Sequence, residues 1–112
     1  MKKLFIDDIR QPVDNTYDIV RSYDDAIAYM KVRGCPSFIT FDHDLGEAEL
    51  KTGFDIAKWI VEQDLDDGGF IPADFSYDVH SANPVGAANI RGLLDNYLAV
   101  RDVYETTTGK QT

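Results

Sequence analysis

The strongest constraint on how this chain folds is an alternation. Short runs rich in β-branched and aromatic residues take turns with longer stretches of helical periodicity. Lys3 to Asp7 is a nearly continuous apolar run followed by loop signals at Pro12, Asp14 and Asn15, and Tyr17 to Arg21 is a second strand candidate. Ser22 and Asp25 have the spacing of a capping box. Behind them Tyr23, Ala26, Ile27 and Met30 recur at helical intervals up to Gly34. Ser37 to Phe41 is the third strand. Thr52 and Asp55 repeat the capping pattern and open a helix whose inward stripe is Phe54, Ala57, Ile60 and Val61, ended by Gly68 and Gly69. Phe75 to Val79 alternates with period two, and Asn83-Pro84 reads as an N-cap followed by a first-position proline. Ile90, Leu93, Leu94, Tyr97 and Leu98 carry the last helix.

Strands alternating with helices predict an α/β fold, a parallel sheet of about four strands in a three-layer arrangement. Leu4-Phe5-Ile6 and Phe38-Ile39-Thr40-Phe41 approximate the continuous apolar runs of strands buried on both faces, which places them in the middle. Phe75 to Val79 belongs at an edge. A length of 112 residues suits one domain, predicted over residues 1–104, and residues 105–112 have the composition of a flexible tail. Met1-Lys2-Lys3 leads into too few apolar residues for a signal peptide or a membrane span, so the expected compartment is cytoplasm. Cys35 is the only cysteine, expected as a buried small hydrophobe, and Trp59 reads as packing. With 11 Lys and Arg against 20 Asp and Glu, a net charge of -9, the chain has no basic face for extended duplex nucleic acid. A small phosphorylated ligand or an RNA terminus stays compatible, because a metal ion or an arginine reverses the field inside one pocket.

Three predicted strands terminate in polar groups: Asp7-Asp8, then Asp42-His43-Asp44, then His80-Ser81. Parallel strands deliver all of them to one rim, where ligands of such sheets bind. Two unit charges at 4 Å repel by about 4 kcal/mol at an effective dielectric of 20, so converging carboxylates need a cation or a shared proton. Asp7, Asp8 and Asp42 are the predicted ligands of a divalent metal. Magnesium is the first choice, and imidazole with carboxylates also suits manganese or another transition metal. His43 and His80 are candidate acid and base. Each feature has a plainer reading: turn chemistry for Asp7-Asp8, hydrogen-bonded packing for the histidines, capping for Ser81 and Asn83, a surface ion pair for Arg10.

The order LFIDD, VRSYDDAIAYM, FITFD with TGFDIAKWI, and YDVHSA resembles a bacterial response-regulator receiver domain, a flavodoxin-like fold. That resemblance implies magnesium at Asp7, Asp8 and Asp42, with Ser81 in the place of the hydroxyl residue after the fourth strand. It extends from about Lys3 to Leu98. Against that pattern the first helix is shortened or missing and the fifth strand is absent. No fifth-strand lysine is available, since Lys110 lies in the tail. The stretch from Asp42 to Gly53 is long, which makes Asp44 a rival for the acceptor position. FIDDIRQP, SFITFDHDLG, TGFDIAKWI and VHSANPVGAANI together are more specifically similar to the cyclic-phosphate-processing receiver family, found often in phages and bacteria. If phage-encoded, the protein would act in host cytoplasm.

The second resemblance implies metal-assisted hydrolysis of a cyclic phosphate, such as a 2′,3′-cyclic RNA end or a cyclic nucleotide derivative. In that scheme His43 and His80 share acid and base roles and Asp44 orients His43 or binds metal indirectly. Ser81 and Asn83 orient the phosphate and Arg10 steadies it. Two other classes stay open: a stand-alone phosphoacceptor at Asp42, and a non-catalytic nucleotide- or protein-binding module.

Overall fold

The computed structural model describes residues 3–46 and 49–109, with side chains as far as Arg101. The elements follow the expected order: β1 (Lys3–Ile6), β2 (Tyr17–Val20), α1 (Tyr23–Arg33), β3 (Phe38–Phe41), α2 (Gly53–Asp66), β4 (Ser76–Val79) and α3 (Pro84–Gly109). The strands pair in parallel in the order β2-β1-β3-β4. As expected, β1 and β3 are central, β4 is an edge, and among the described residues there is neither a fifth strand nor a helix between β1 and β2.

Local chemistry explains the helix ends. Ser22 Oγ accepts the Asp25 N–H at 3.1 Å, and Gly34 closes α1 with φ 80° and an N–H donated to Met30 O at 2.8 Å. Asp55 Oδ2 accepts the Thr52 N–H at 2.8 Å at the start of α2. Asn83 Oδ1 accepts the Gly86 N–H at 3.0 Å, capping α3 ahead of Pro84. At its far end α3 runs to Gly109, and Arg101 to Thr108 contains neither proline nor glycine. Residues 110–112, the rest of the expected tail, lie outside the described residues.

The core forms on one face of the sheet. Register pairs Leu4 with Ile39, Ile6 with Val20 and Phe41, and Phe41 with Val79, and all six belong to the core cluster with residues of α1, α2 and α3. Burying each large aliphatic or aromatic chain there contributes roughly 1.5–3 kcal/mol. The helices form a single layer, α1 against α2 and α2 against α3. Asp64 pins that layer to the glycine-rich turn after α2: it accepts the Ile71 N–H at 2.8 Å and the Tyr97 hydroxyl at 2.6 Å, with Arg101 Nε at 3.5 Å. Trp59 packs edge-on against Phe70, and Cys35 is half-buried at the edge of the core.

The alternate strand residues, Lys3, Phe5, Tyr17, Ile19, Phe38 and Thr40, point to the other face and lie outside that cluster. The expected second helical layer is therefore absent among the described residues. Phe5 and Phe38 read as buried between two layers because they are apolar. Instead, aromatic contacts cover this face only in part: Phe5 meets Tyr17 edge-on at 5.9 Å, and Tyr17 lies 6.4 Å from Phe38. No helix among the described residues is long and apolar enough to cross a membrane.

Candidate functional site

Parallel pairing carries three strand ends to one line. The Asp42 N–H donates to Ile6 O at 2.9 Å and the His80 N–H donates to Phe41 O at 2.9 Å, so Asp7, Asp42 and His80 sit side by side one step past the strands. The boundary between β1 and β3 is where strand order reverses, because the chain leaves β1 for β2 on one side and returns to β3 on the other.

Asp7 is 1 % exposed and fully engaged. Its Oδ1 accepts the N–H groups of Ile9 and Arg10, both at 2.9 Å, and its Oδ2 lies 2.9 Å from His80 Nε2. Burial pushes this carboxyl up, but the two backbone N–H groups and His80 outweigh it and hold the group below the usual carboxylate range. An ionised Asp7 only accepts, so His80 Nε2 carries the proton between them. The other ring nitrogen, Nδ1, lies 2.8 Å from Thr40 Oγ1, and the ring stacks on Phe5 with centroids 4.7 Å apart.

Asp42 behaves oppositely. It is 7 % exposed, and burial, followed by the charge of Asp7, pushes its carboxyl up, while a hydrogen bond with the Ser81 side chain opposes the shift. Asp7, Asp8 and Asp42 each offer a carboxylate oxygen, and these oxygens lie within 4.8 Å of one another. Magnesium takes oxygen ligands, keeps several waters and is usually held by one or two carboxylates, so Asp7, Asp8 and Asp42 would suffice to hold it. The donor set is all oxygen and anionic, and Asp42 is destabilised by the charge beside it. The residues therefore fit a hard divalent cation.

Two arginines frame the acids. Arg10 Nη1 donates to His80 O at 2.9 Å and lies 3.8 Å from Asp7 Oδ2. Arg21 Nη1 donates to Asp7 O at 3.1 Å and to Arg10 O at 2.6 Å. An open pocket of about 480 Å³ lies against this rim, lined by Asp8, Ile9, Arg10, Asp42, Asp44, Gly46 and Ala82. A larger groove of about 540 Å³ between α2 and α3 is lined by no carboxylate or imidazole.

The remaining candidates form the pocket's outer wall. His43 Nδ1 lies 2.8 Å from Asp44 Oδ1, and that bond, with a second from the Asn83 side chain, holds the Asp44 carboxyl low. The Asn83 N–H donates to Ser81 Oγ at 3.0 Å. The His43 ring lies so close to Gly86 that a Cβ there would stand 2.3 Å from Cγ of the imidazole. Gly53 is tighter still, its Cβ position being 2.0 Å from Asp42 O. Asp7, Asp8, Asp42, His80, Arg10 and Ser81 thus converge, while His43 and Asn83 reach the pocket through Asp44. Sequence reasoning missed Thr40 and Arg21. Their only signal was a polar residue inside or just after a strand, and the partners that give them meaning come from other strands.

A four-stranded parallel sheet in this order, with acids after β1 and β3 and a hydroxyl residue after β4, defines a receiver-like domain of the flavodoxin type. The chain belongs to the cyclic-phosphate processing receiver domain family, whose sequence model matches residues 2–96. No curated protein and no solved structure matches it. It is thus a receiver domain of the cyclic-phosphate-processing kind.

Proposed function

We propose that the protein hydrolyses a cyclic phosphodiester to a phosphomonoester with a divalent metal held by Asp7, Asp8 and Asp42. The observation that carries this reading is the set of three carboxylate oxygens within 4.8 Å of one another on the rim that Arg10 borders. Bound there, magnesium or manganese would neutralise phosphoryl oxygens and acidify a water. Arg10 offers its guanidinium to the phosphate, and the N-terminus of α3, capped by Asn83, adds partial positive charge near Ser81. The oxygen of water forms the new P–O bond, the ring P–O bond breaks, and the proton released by water ends on the freed hydroxyl. The His43–Asp44 pair moves that proton, Asp44 facing the pocket and His43 backing it.

His80 enters this scheme in a different role from the acid or base the sequence suggested. Both its ring nitrogens are engaged inside the protein, so it holds the Asp7 carboxylate in place. The test is direct: purified protein with Mg²⁺ converts a 2′,3′-cyclic nucleotide to a monoester, and chelator, Asp42→Asn or His43→Ala abolishes the conversion. Turnover indifferent to all three, or no turnover of any cyclic phosphate, removes the proposal. An acyl phosphate on Asp42, seen as a mass increase after incubation with a small phosphodonor, would favour the phosphoacceptor class instead.

A further inference from the structure

The face of the sheet opposite the helices has an organisation that the rim alone does not use. Register places Tyr17, Lys3 and Phe38 in one row across β2, β1 and β3, and no helix among the described residues covers that row. Tyr17 and Phe38 are half-buried, so part of each ring meets solvent. Phe5 lies one pair nearer the rim and is buried beneath its neighbours, which fixes where the rings stand. The Lys3 ammonium lies 4.4 Å from the centre of the Tyr17 ring. The connection from β1 to β2 leaves Ile9 78 % and Val13 99 % exposed, so it lays neither of those side chains on the face.

We propose that this face is a stacking platform for the bases of a single-stranded RNA 3′ end, Tyr17 and Phe38 supplying the rings and Lys3 a charge for the backbone. The inference rests on the reading of the rim as a cyclic-phosphate site and names the substrate class. Continuity carries it. The His80 ring stacks on Phe5, the floor of the platform, while its Nε2 meets Asp7 at the rim, so one side chain belongs to both. From Asp7 back to Lys3 is four strand residues, about 13 Å. A terminal phosphate at the rim would thus leave the preceding nucleotides over the aromatic row. Every base has a π-face, and aromatic side chains presented on the face of a sheet stack with the unpaired bases of single-stranded RNA. The charge is in the right place: in a chain of net charge -9, the cation at the centre of this row faces a polyanion.

A second copy of the chain fits less well. A stable dimer needs roughly 800 Å² from each partner. The apolar part of this face is Ile19 and a few rings already half covered, bordered by Asp14 near Lys3 and by Asp78, which pairs with Arg91 at 3.1 Å.

The experiment measures equilibrium binding of the full chain to a short single-stranded RNA ending in an unreactive 3′-phosphate, and to the same oligomer with the bases removed from the nucleotides next to the end. Stacking predicts that the intact oligomer binds about 5- to 150-fold tighter for each base seated. Tyr17→Ala and Phe38→Ala erase that advantage, and Tyr17→Phe retains it. Equal binding of the two oligomers by the unaltered protein, or no binding of either, overturns the platform without depending on any variant folding. So does a concentration-dependent dimer broken by Tyr17→Ala and Phe38→Ala, which would make a second copy the occupant. Turnover of a cyclic mononucleotide is read separately, so failure of the platform leaves the rim reading standing and the converse also holds.

Discussion

Replacing Gly53 by alanine tests whether the rim is built by close approach of α2 to the end of β3. In an ordinary helical first turn the change is neutral or stabilises by up to about 1 kcal/mol, because alanine loses less backbone entropy. Here the added Cβ would stand 2.0 Å from Asp42 O, 3.0 Å from the same carbonyl carbon and 3.3 Å from His43 Cα. These are main-chain atoms with little room to give. Asp42 donates its N–H to Ile6 O at 2.9 Å, and Gly53 donates its own to His43 O at 2.8 Å. Relief requires α2 to retreat from the sheet by more than an ångström or the Asp42 carbonyl to swing away. Overpacking of this kind costs about 1–3 kcal/mol, so the sign reverses and Gly53→Ala destabilises by about that amount. Urea unfolding, with the slope unchanged and the midpoint lowered, reads it out. Gly92→Ala is the control: a Cβ there meets nothing within 4 Å in the interior of α3, so it stabilises by about 0.5–1 kcal/mol. Gly53→Ala as stable as the parent protein, or both variants moving upward together, would refute the argument.

Asp42→Asn removes the charge that burial and Asp7 disfavour, so the metal-free protein gains stability, about 1 kcal/mol, while the thermal shift on adding Mg²⁺ disappears; calorimetry with and without the ion checks both halves. Thr40→Val leaves His80 Nδ1 without its partner at 2.8 Å, costing about 1 kcal/mol in denaturant unfolding and weakening divalent-ion affinity roughly 10- to 100-fold by titration. Burial pushes the Cys35 thiol up to about 12, so the native protein resists alkylation at pH 8 whereas the unfolded chain reacts. The same raised value gives the sign of its pH dependence. Its stabilising contribution is complete below the unfolded thiol's pKa and declines as pH rises from there toward 12, visible as a falling unfolding midpoint in alkaline buffer.

How much of this was legible in the sequence follows from the range of each signal. Capping at Ser22, Thr52 and Asn83 involves residues three apart, so those helix starts could be read directly. The central places of β1 and β3 and the edge place of β4 followed from apolar content, because central strands carry runs such as Leu4-Phe5-Ile6. The convergence of positions 7, 8 and 42 required one further rule, that parallel strands end on the same side. What was hidden lies across strands. Phe5 and Phe38 look the same in sequence whether a helix or another ring covers them, so the bare face could not be told from a second layer. Thr40 reads as one more member of the apolar run of β3 until His80, forty positions on, folds back to meet it.

Loss of the helix between β1 and β2 and the geometry of the acidic rim are linked by one physical requirement. Asp7 and Asp8 end a central strand and begin an irregular connection, where side chains ordinarily wander unless tied down. A helix at that point would fix them through its own backbone bonds. Here side chains from elsewhere take over. The Arg21 guanidinium grips the carbonyls of both Asp7 and Arg10, Arg10 reaches on to the carbonyl of His80, and His80 returns to the Asp7 carboxylate. The circuit joins the ends of β1, β2 and β4, so Asp7 keeps its place only while the outer strands keep theirs. Both bonds come from one nitrogen, Nη1 of Arg21, so a single donor group at the end of β2 ties the two carbonyls together. The same missing helix uncovers the row of Tyr17, Lys3 and Phe38. One shortened connection therefore both leaves the rim to be held by side chains and leaves the adjoining face without a helix over it, with His80 the residue that joins the two.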